Sequence, residues 1–300
     1  MKAAALLLAG CVLLLCPGCE ESEAFDARAE WDKLQRVLDK LYAQPPSRGD
    51  ADTSELTGLI ESYTPAQLIE IARLAEELHR DAFWYEQGNP GDLALYYLAY
   101  HAKQPESRDE VIRLAGRTIL SPNCSPAMVG VLADLVLGET GPKGLANAGV
   151  TLDQQMDWMA KLMDLFAEED ARSLSYAVHL TPSMWGYIRN RPGGEVSPDQ
   201  RARLATIETE LVERLLGLAV DTRASAAVRK KAVRQLTEDW VPGEYRERIL
   251  EALTRVAEEP TETLIPDLAR DVAVAFRKLC AEERITPYLT TLSRQEPGRH

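Results

Sequence analysis

The sequence predicts an all-α fold, an α-α superhelix of stacked antiparallel helix pairs, and three observations carry that expectation. Apolar residues recur every three or four positions over most of the chain, which lines them along one stripe of a helix. Clusters of Pro, Gly, Asp and Asn interrupt the stripes at intervals, as interhelical turns do. No stretch sustains the period-two alternation of a strand. An irregular helical bundle and a tetratricopeptide-like array share these features and stay open as alternatives.

Residues 1–19 read as a targeting leader. Lys2 supplies a positive start, and Ala3 to Cys16 is an apolar run broken only by Gly10, too short to span a bilayer comfortably. Leu8-Ala9-Gly10-Cys11 resembles a bacterial lipobox, but its apolar lead-in is short. Cys19 follows a full apolar run and small Gly18 and precedes Glu20-Glu21, which makes it the expected lipidated residue, with Cys11 second. A diacylated Cys carries enough methylenes to hold a chain on a membrane. The implied location is the bacterial cell envelope, facing the periplasm or the exterior. Cys16 and Cys19 also spell CxxC, but they end a leader rather than open the helix of a βαβ unit, which argues against redox chemistry.

Residues 20–52 hold one expected helix, with Trp31, Leu34, Leu38 and Leu41 at helical spacing, and a linker from Gln44 to Asp50. Residues 53–195 form a degenerate helical-repeat region. Thr64-Pro65-Ala66-Gln67 is a capping box with Pro at the first helical position, opening a helix through Leu68, Ile71, Ala75, Leu78 and Ala82. Gly88 to Asp92 turns the chain into a second arm over Leu93 to Lys103. Further helices are expected at Arg108 to Leu120, Pro126 to Leu137 and Leu152 to Glu168. The last is apolar on two sides and therefore interior.

Residues 196–300 are the most regular. Ser197-Pro198-Asp199-Gln200 is a second capping box, followed by Leu204, Ile207, Leu211, Leu215 and Leu218. Asp221, Thr222 and Arg223 break the stripe. Val228, Ala232, Gln235 and Leu236 form the next, with Arg229, Lys230, Lys231 and Arg234 expected on the wet side. The plan repeats at Tyr245, Ile249, Leu253 and Val256, and again at Leu268, Val272, Phe276 and Leu279. Matching Val228 to Leu268 gives a period of about 40 residues. Asp221 to Leu236, with Val228-Arg229 and then Ala232 and Leu236, resembles the second helix of a HEAT repeat. Asp221 stands two residues further from Val228 than that family's spacing, and the next copy has Leu268-Ala269 in place of Val-Arg. The resemblance, clearest over residues 198–282, implies a HEAT-like solenoid.

The formal net charge of −13 argues against a nucleic-acid partner, since such a surface repels phosphate. Gly138 to Gly144 fails as a phosphate loop: its spacing is wrong, Pro142 lacks a donor, and a helix precedes it. A plain interhelical linker is the expectation there. His79, His101, His179 and His300 match no zinc spacing, so no metal or cofactor is expected. The paired acids do not flank a cleft in any readable way. Cys124 and Cys280 are separated by several helices, so in an extended array no disulfide joins them and buried free thiols are expected.

Two aromatic groups are the candidate surfaces for a protein or peptide partner. Trp84, Tyr85, Tyr96, Tyr97 and Tyr100 sit across one hairpin; Trp185, Tyr187 and Arg189 form the second. Tyr, Trp and Arg dominate interface hot spots, but the same residues at helical spacing also fill cores. The expected function is a non-catalytic, envelope-anchored scaffold. The alternative is a helical hydrolase of envelope polysaccharide, which needs acids and aromatics converging in a deep pocket.

Overall fold

The computed structural model describes residues 25–43, 53–78, 89–189, 196–259 and 266–280. Among these there are twelve α-helices and no strand, so the fold is all-α. The helices α1 (Ala27–Ala43) and α2 (Ser54–Ile60) come first. Five pairs follow. They are α3 (Pro65–Leu78) with α4 (Pro90–Lys103), α5 (Pro105–Ile119) with α6 (Pro126–Asn147), and α7 (Leu152–Asp164) with α8 (Ala171–Arg189). The last two are α9 (Pro198–Val220) with α10 (Ala226–Gln235), and α11 (Arg246–Ala257) with α12 (Pro266–Cys280).

Each helix of these five pairs packs on its partner and on a helix two places away in sequence. Helices α3, α5, α7, α9 and α11 therefore form one layer, and α4, α6, α8, α10 and α12 the other. This is a solenoid of helix pairs, with α1 closing its first end against α3 and α4. Among the described residues one apolar core runs from Trp31 to Phe276.

The helix starts follow their sequence signals. Ser197 Oγ accepts from the Gln200 amide while Gln200 Oε1 accepts from the Ser197 amide, and Thr64 with Gln67 does the same at α3. A third box at α7 joins Thr151 to Gln154. All three lie in the first layer. The Gln200 amide group also donates to Asp153 Oδ1 at 3.1 Å, so the start of α9 is tied to the start of α7.

The structure adds one helix and corrects three expectations. Helix α8 has no simple stripe and carries Pro182 in its interior, so the sequence did not announce it. It is the centre of the second layer, surrounded by α6, α7, α9 and α10, and buries residues on several sides from Ser173 to Ile188. The break expected over Gly138 to Gly144 narrows to one residue: two helical stretches of α6 meet at Gly141, whose backbone is not helical (φ 64°, ψ 167°), and Pro142 opens the second stretch, where no helical donor is needed. Leu78, placed on the core stripe, is 41% exposed.

Arg229, expected in water, is buried. Its guanidinium donates to the Ala219 carbonyl at the end of α9 (3.1 Å) and to both oxygens of Glu259, just beyond α11. Asp221, in the turn before α10, accepts from the backbone amide and guanidinium of Arg223.

Glycines let rings come close. An ideal Cβ on Gly116 of α5 would lie 2.6 Å from the Trp158 ring of α7, and one on Gly130 of α6 would overlap the Tyr176 ring of α8. The same device thus joins consecutive pairs in both layers. Helix α6 ends at Gly149 (φ 80°), where the Val150 amide bonds the Leu145 carbonyl at 2.9 Å, a Schellman-type stop.

Candidate functional site

Helix α4 presents the exposed aromatic surface. Asn89 caps its start, accepting from the Gly91 and Asp92 amides, and Ala94, Leu95, Leu98 and Ala102 turn inward. That register leaves Tyr96 and Tyr100, one turn apart, at 69% and 52% exposure. Tyr97 lies half-buried between them. The Tyr96–Tyr97 rings meet edge to face at 5.6 Å, Tyr97–Tyr100 are 6.3 Å apart, and Tyr100 stands edge-on to His101 at 6.1 Å. These contacts stiffen one another, so the row meets solvent as a preformed apolar surface with phenol groups at its rim. Trp84 and Tyr85, expected to extend it, lie outside the described residues.

The second aromatic group is built differently. Trp185 is 3% exposed and belongs to the core, and Tyr187 is half-buried against it. Arg189 donates to the Trp240 carbonyl in the turn after α10, with Glu208 of α9 3.9 Å away. These side chains fasten the α8 end to its neighbours, because a helix enclosed on four sides has no face left to offer.

The first layer carries grooves between successive helices. One, about 560 Å³, lies between α5 and α7 and includes Arg113, Gly116, Arg117, Gln154 and Trp158. A second, about 410 Å³, lies between α3 and α5 and holds Glu76 and Cys124. Here Ser125 Oγ–H donates to Glu76, and burial pushes the Glu76 carboxyl above its usual range. Burial, with the nearby Glu76 charge, pushes the Cys124 thiol up to about 11. It therefore stays protonated at neutral pH and is a poor nucleophile. Cys124 is a half-buried free thiol in the α5–α6 turn, and the Cys280 side chain lies outside the described residues. Both grooves are open to solvent along one side.

A polar cluster crosses the second layer. Burial pushes the Asp134 carboxyl of α6 up, while His179 and Arg172 of α8 and Lys231 of α10 pull it back. Lys231 also donates to Ser175 Oγ at 2.7 Å. Neither the grooves nor this cluster was readable from the sequence, because each joins helices one repeat apart.

Among the described residues, no group of three or more His, Cys, Asp or Glu is placed to hold a metal ion, and no helix is long and apolar enough to cross a membrane. Cys19 lies outside them. No family model, curated protein or solved structure matches the chain.

Proposed function

We propose that this protein is a non-catalytic scaffold that binds a protein or peptide partner through the tyrosine row of α4, held at the bacterial envelope by a lipid on Cys19. The observation that carries the reading is the pair Tyr96 and Tyr100, large rings left in solvent on a helix whose other face is fully packed. Among the described residues the other exposed aromatic is Tyr42 of α1, and the rest are buried or half-buried, so the row on α4 is where two exposed rings stand together. Tyrosines add contact area at low entropic cost and keep a hydroxyl for the interface rim, which suits them to this work. The repeat architecture supports the same reading, since stacked helix pairs offer extended surfaces. The anchor reading rests on the sequence of the leader.

A photo-crosslinking amino acid at position 96 tests the proposal in living cells, with position 160, exposed on α7 in the other layer, as the control. A discrete adduct at 96 that is absent at 160 and fractionates with membranes is the expected result. Tyr100→Ala should weaken that adduct while leaving the thermal transition in place. Equal, diffuse labelling at both positions would remove the basis for the reading.

A further inference from the structure

We propose that the groove between α5 and α7 is a binding site for a small ligand bearing a carboxylate on an apolar body, with Arg113 and Arg117 as the charge-recognising pair. The site lies in the opposite layer from the tyrosine row and does not depend on it.

The argument begins with how the first layer is joined elsewhere. Between α7 and α9, Arg203 pairs with Asp157 at 2.6 Å. Between α9 and α11, Arg248 grips both carboxylate oxygens of Glu213, with Nη2 to Oε2 at 2.6 Å. At both junctions an arginine on the later helix meets an acid on the earlier one. At the α5/α7 junction it is the earlier helix that brings arginines, Arg113 and Arg117 one turn apart, and α7 returns no acid to either. Among the described residues neither has an ion-pair partner. Arg113 only donates its Nε–H to the Asp109 carbonyl on its own helix at 3.1 Å, which leaves its terminal nitrogens unused. Two like charges one turn apart repel, and a carboxylate between them relieves that cost with charge-assisted bonds.

The rest of the groove fits the body of such a ligand. Gly116 lies between the two arginines in sequence, and its missing side chain lets the Trp158 ring reach the floor. The Trp158 ring fills that notch and is 2% exposed, so the apolar contact open to a ring or a short aliphatic chain comes from the half-buried Leu120 and Ala148 on the groove wall. Gln154 stands at the α7 side with its Oε1 held by the Thr151 amide at 2.9 Å, so its amide nitrogen is a neutral donor to the ligand. The volume of about 560 Å³ lies within the range of small-molecule sites. Glu110 lines the same groove and disfavours a second negative charge on the ligand, which makes a monocarboxylate the better fit.

The test uses 3-phenylpropionate and its neutral amide, 3-phenylpropionamide, titrated into the full 15N-labelled chain while the Trp158 indole N–H and the Gly149 and Val150 amides are followed by NMR. The carboxylate should shift these signals saturably with a Kd on the order of 1 mM. The amide should bind about tenfold more weakly or less. Arg113→Gln with Arg117→Gln should reduce the carboxylate to the level of the amide without lowering Tm, since both side chains are exposed. Shifts of equal strength with both probes, or none that saturate, would overturn the proposal. If the double variant is destabilised, the two probes on the unaltered chain still decide the matter.

Discussion

The two halves of the solenoid are joined by different chemistry. From α5 to α8, consecutive helix pairs meet by a ring lying in a glycine notch: Trp158 on Gly116 in one layer, Tyr176 on Gly130 in the other. From α9 to α12 they meet through arginines: Arg229 with Glu259, Arg234 with Asp271, Arg248 with Glu213. Packing demands shape and tolerates no added carbon, whereas ion pairing demands a partner and tolerates some drift in distance. The rear half reads as a regular repeat in the sequence because its apolar stripes match, Val228 with Leu268 and Leu236 with Phe276, and neither kind of joint is visible there. A glycine chosen for a ring some forty residues away leaves no mark in a linear chain, and neither does an arginine whose acid lies on another helix.

The largest effect is expected at the rear. Arg229→Ala leaves Glu259 without its partner and the Ala219 carbonyl without a donor, and should cost about 3–5 kcal/mol in urea unfolding. Because the pair is buried, the loss should be nearly unchanged by added salt. Replacing Arg229 and Glu259 together by Met should recover most of it, since a packed apolar pair often substitutes for a buried ion pair. A double variant no better than the single one would show that the arginine acts by packing alone.

The front half is tested by a smaller change. Gly130→Ala should destabilise by about 1–2 kcal/mol, as the overpacking against Tyr176 outweighs the gain in helix propensity. Gly138→Ala, eight residues further along α6 and with open space at its Cβ, should do the opposite and add about 0.5–1 kcal/mol. Chemical denaturation of the two variants side by side checks the sign. If both stabilise, the notch is not a joint.

The smallest expected effect lies where the halves meet, at Asp134. Its carboxyl is raised by burial, so the folded chain holds the proton more tightly than the unfolded one. Stability from this group is therefore greatest at low pH and falls as pH rises from the ordinary Asp range through the raised folded value. Asp134→Asn should raise Tm at pH 7 and change nothing in acid, where both forms are neutral. The His179, Arg172 and Lys231 charges offset part of the cost, which keeps the effect small. A Tm increase of equal size in acid would point to packing rather than charge.

Most of the helical plan was legible, and the reasons are local. Ser197 with Gln200 and Thr64 with Gln67 mark helix starts through bonds made within four residues, so no tertiary knowledge is needed. Tyr96 and Tyr100 were readable as a surface candidate because an i, i+4 pair shares one face. What was lost depends on neighbours. Arg229 reads as solvated from its basic sequence context, yet the groups that bury it come from the ends of two other helices. Helix α8 leaves no stripe in the sequence, because burial on several sides erases it. Trp185 reads as a binding residue for the same reason. The α5/α7 groove is a gap between two helices, and a gap has no residues of its own to read.

The bond from Gln200 to Asp153 has a consequence for how this chain can vary. It ties the starting edge of one first-layer helix to that of the preceding one, while among the described residues no comparable hydrogen bond joins the distal ends of those helices. Glutamine is needed for it: its oxygen closes the cap on Ser197 while its nitrogen reaches the neighbour, and a glutamate would set two carboxylates against each other. Insertions and deletions should therefore be absorbed at the far ends and in the returning turns, as ropes tied level along a rail hang to different lengths. In a set of natural variants, length differences would gather on one edge of the molecule and leave the other ruled straight.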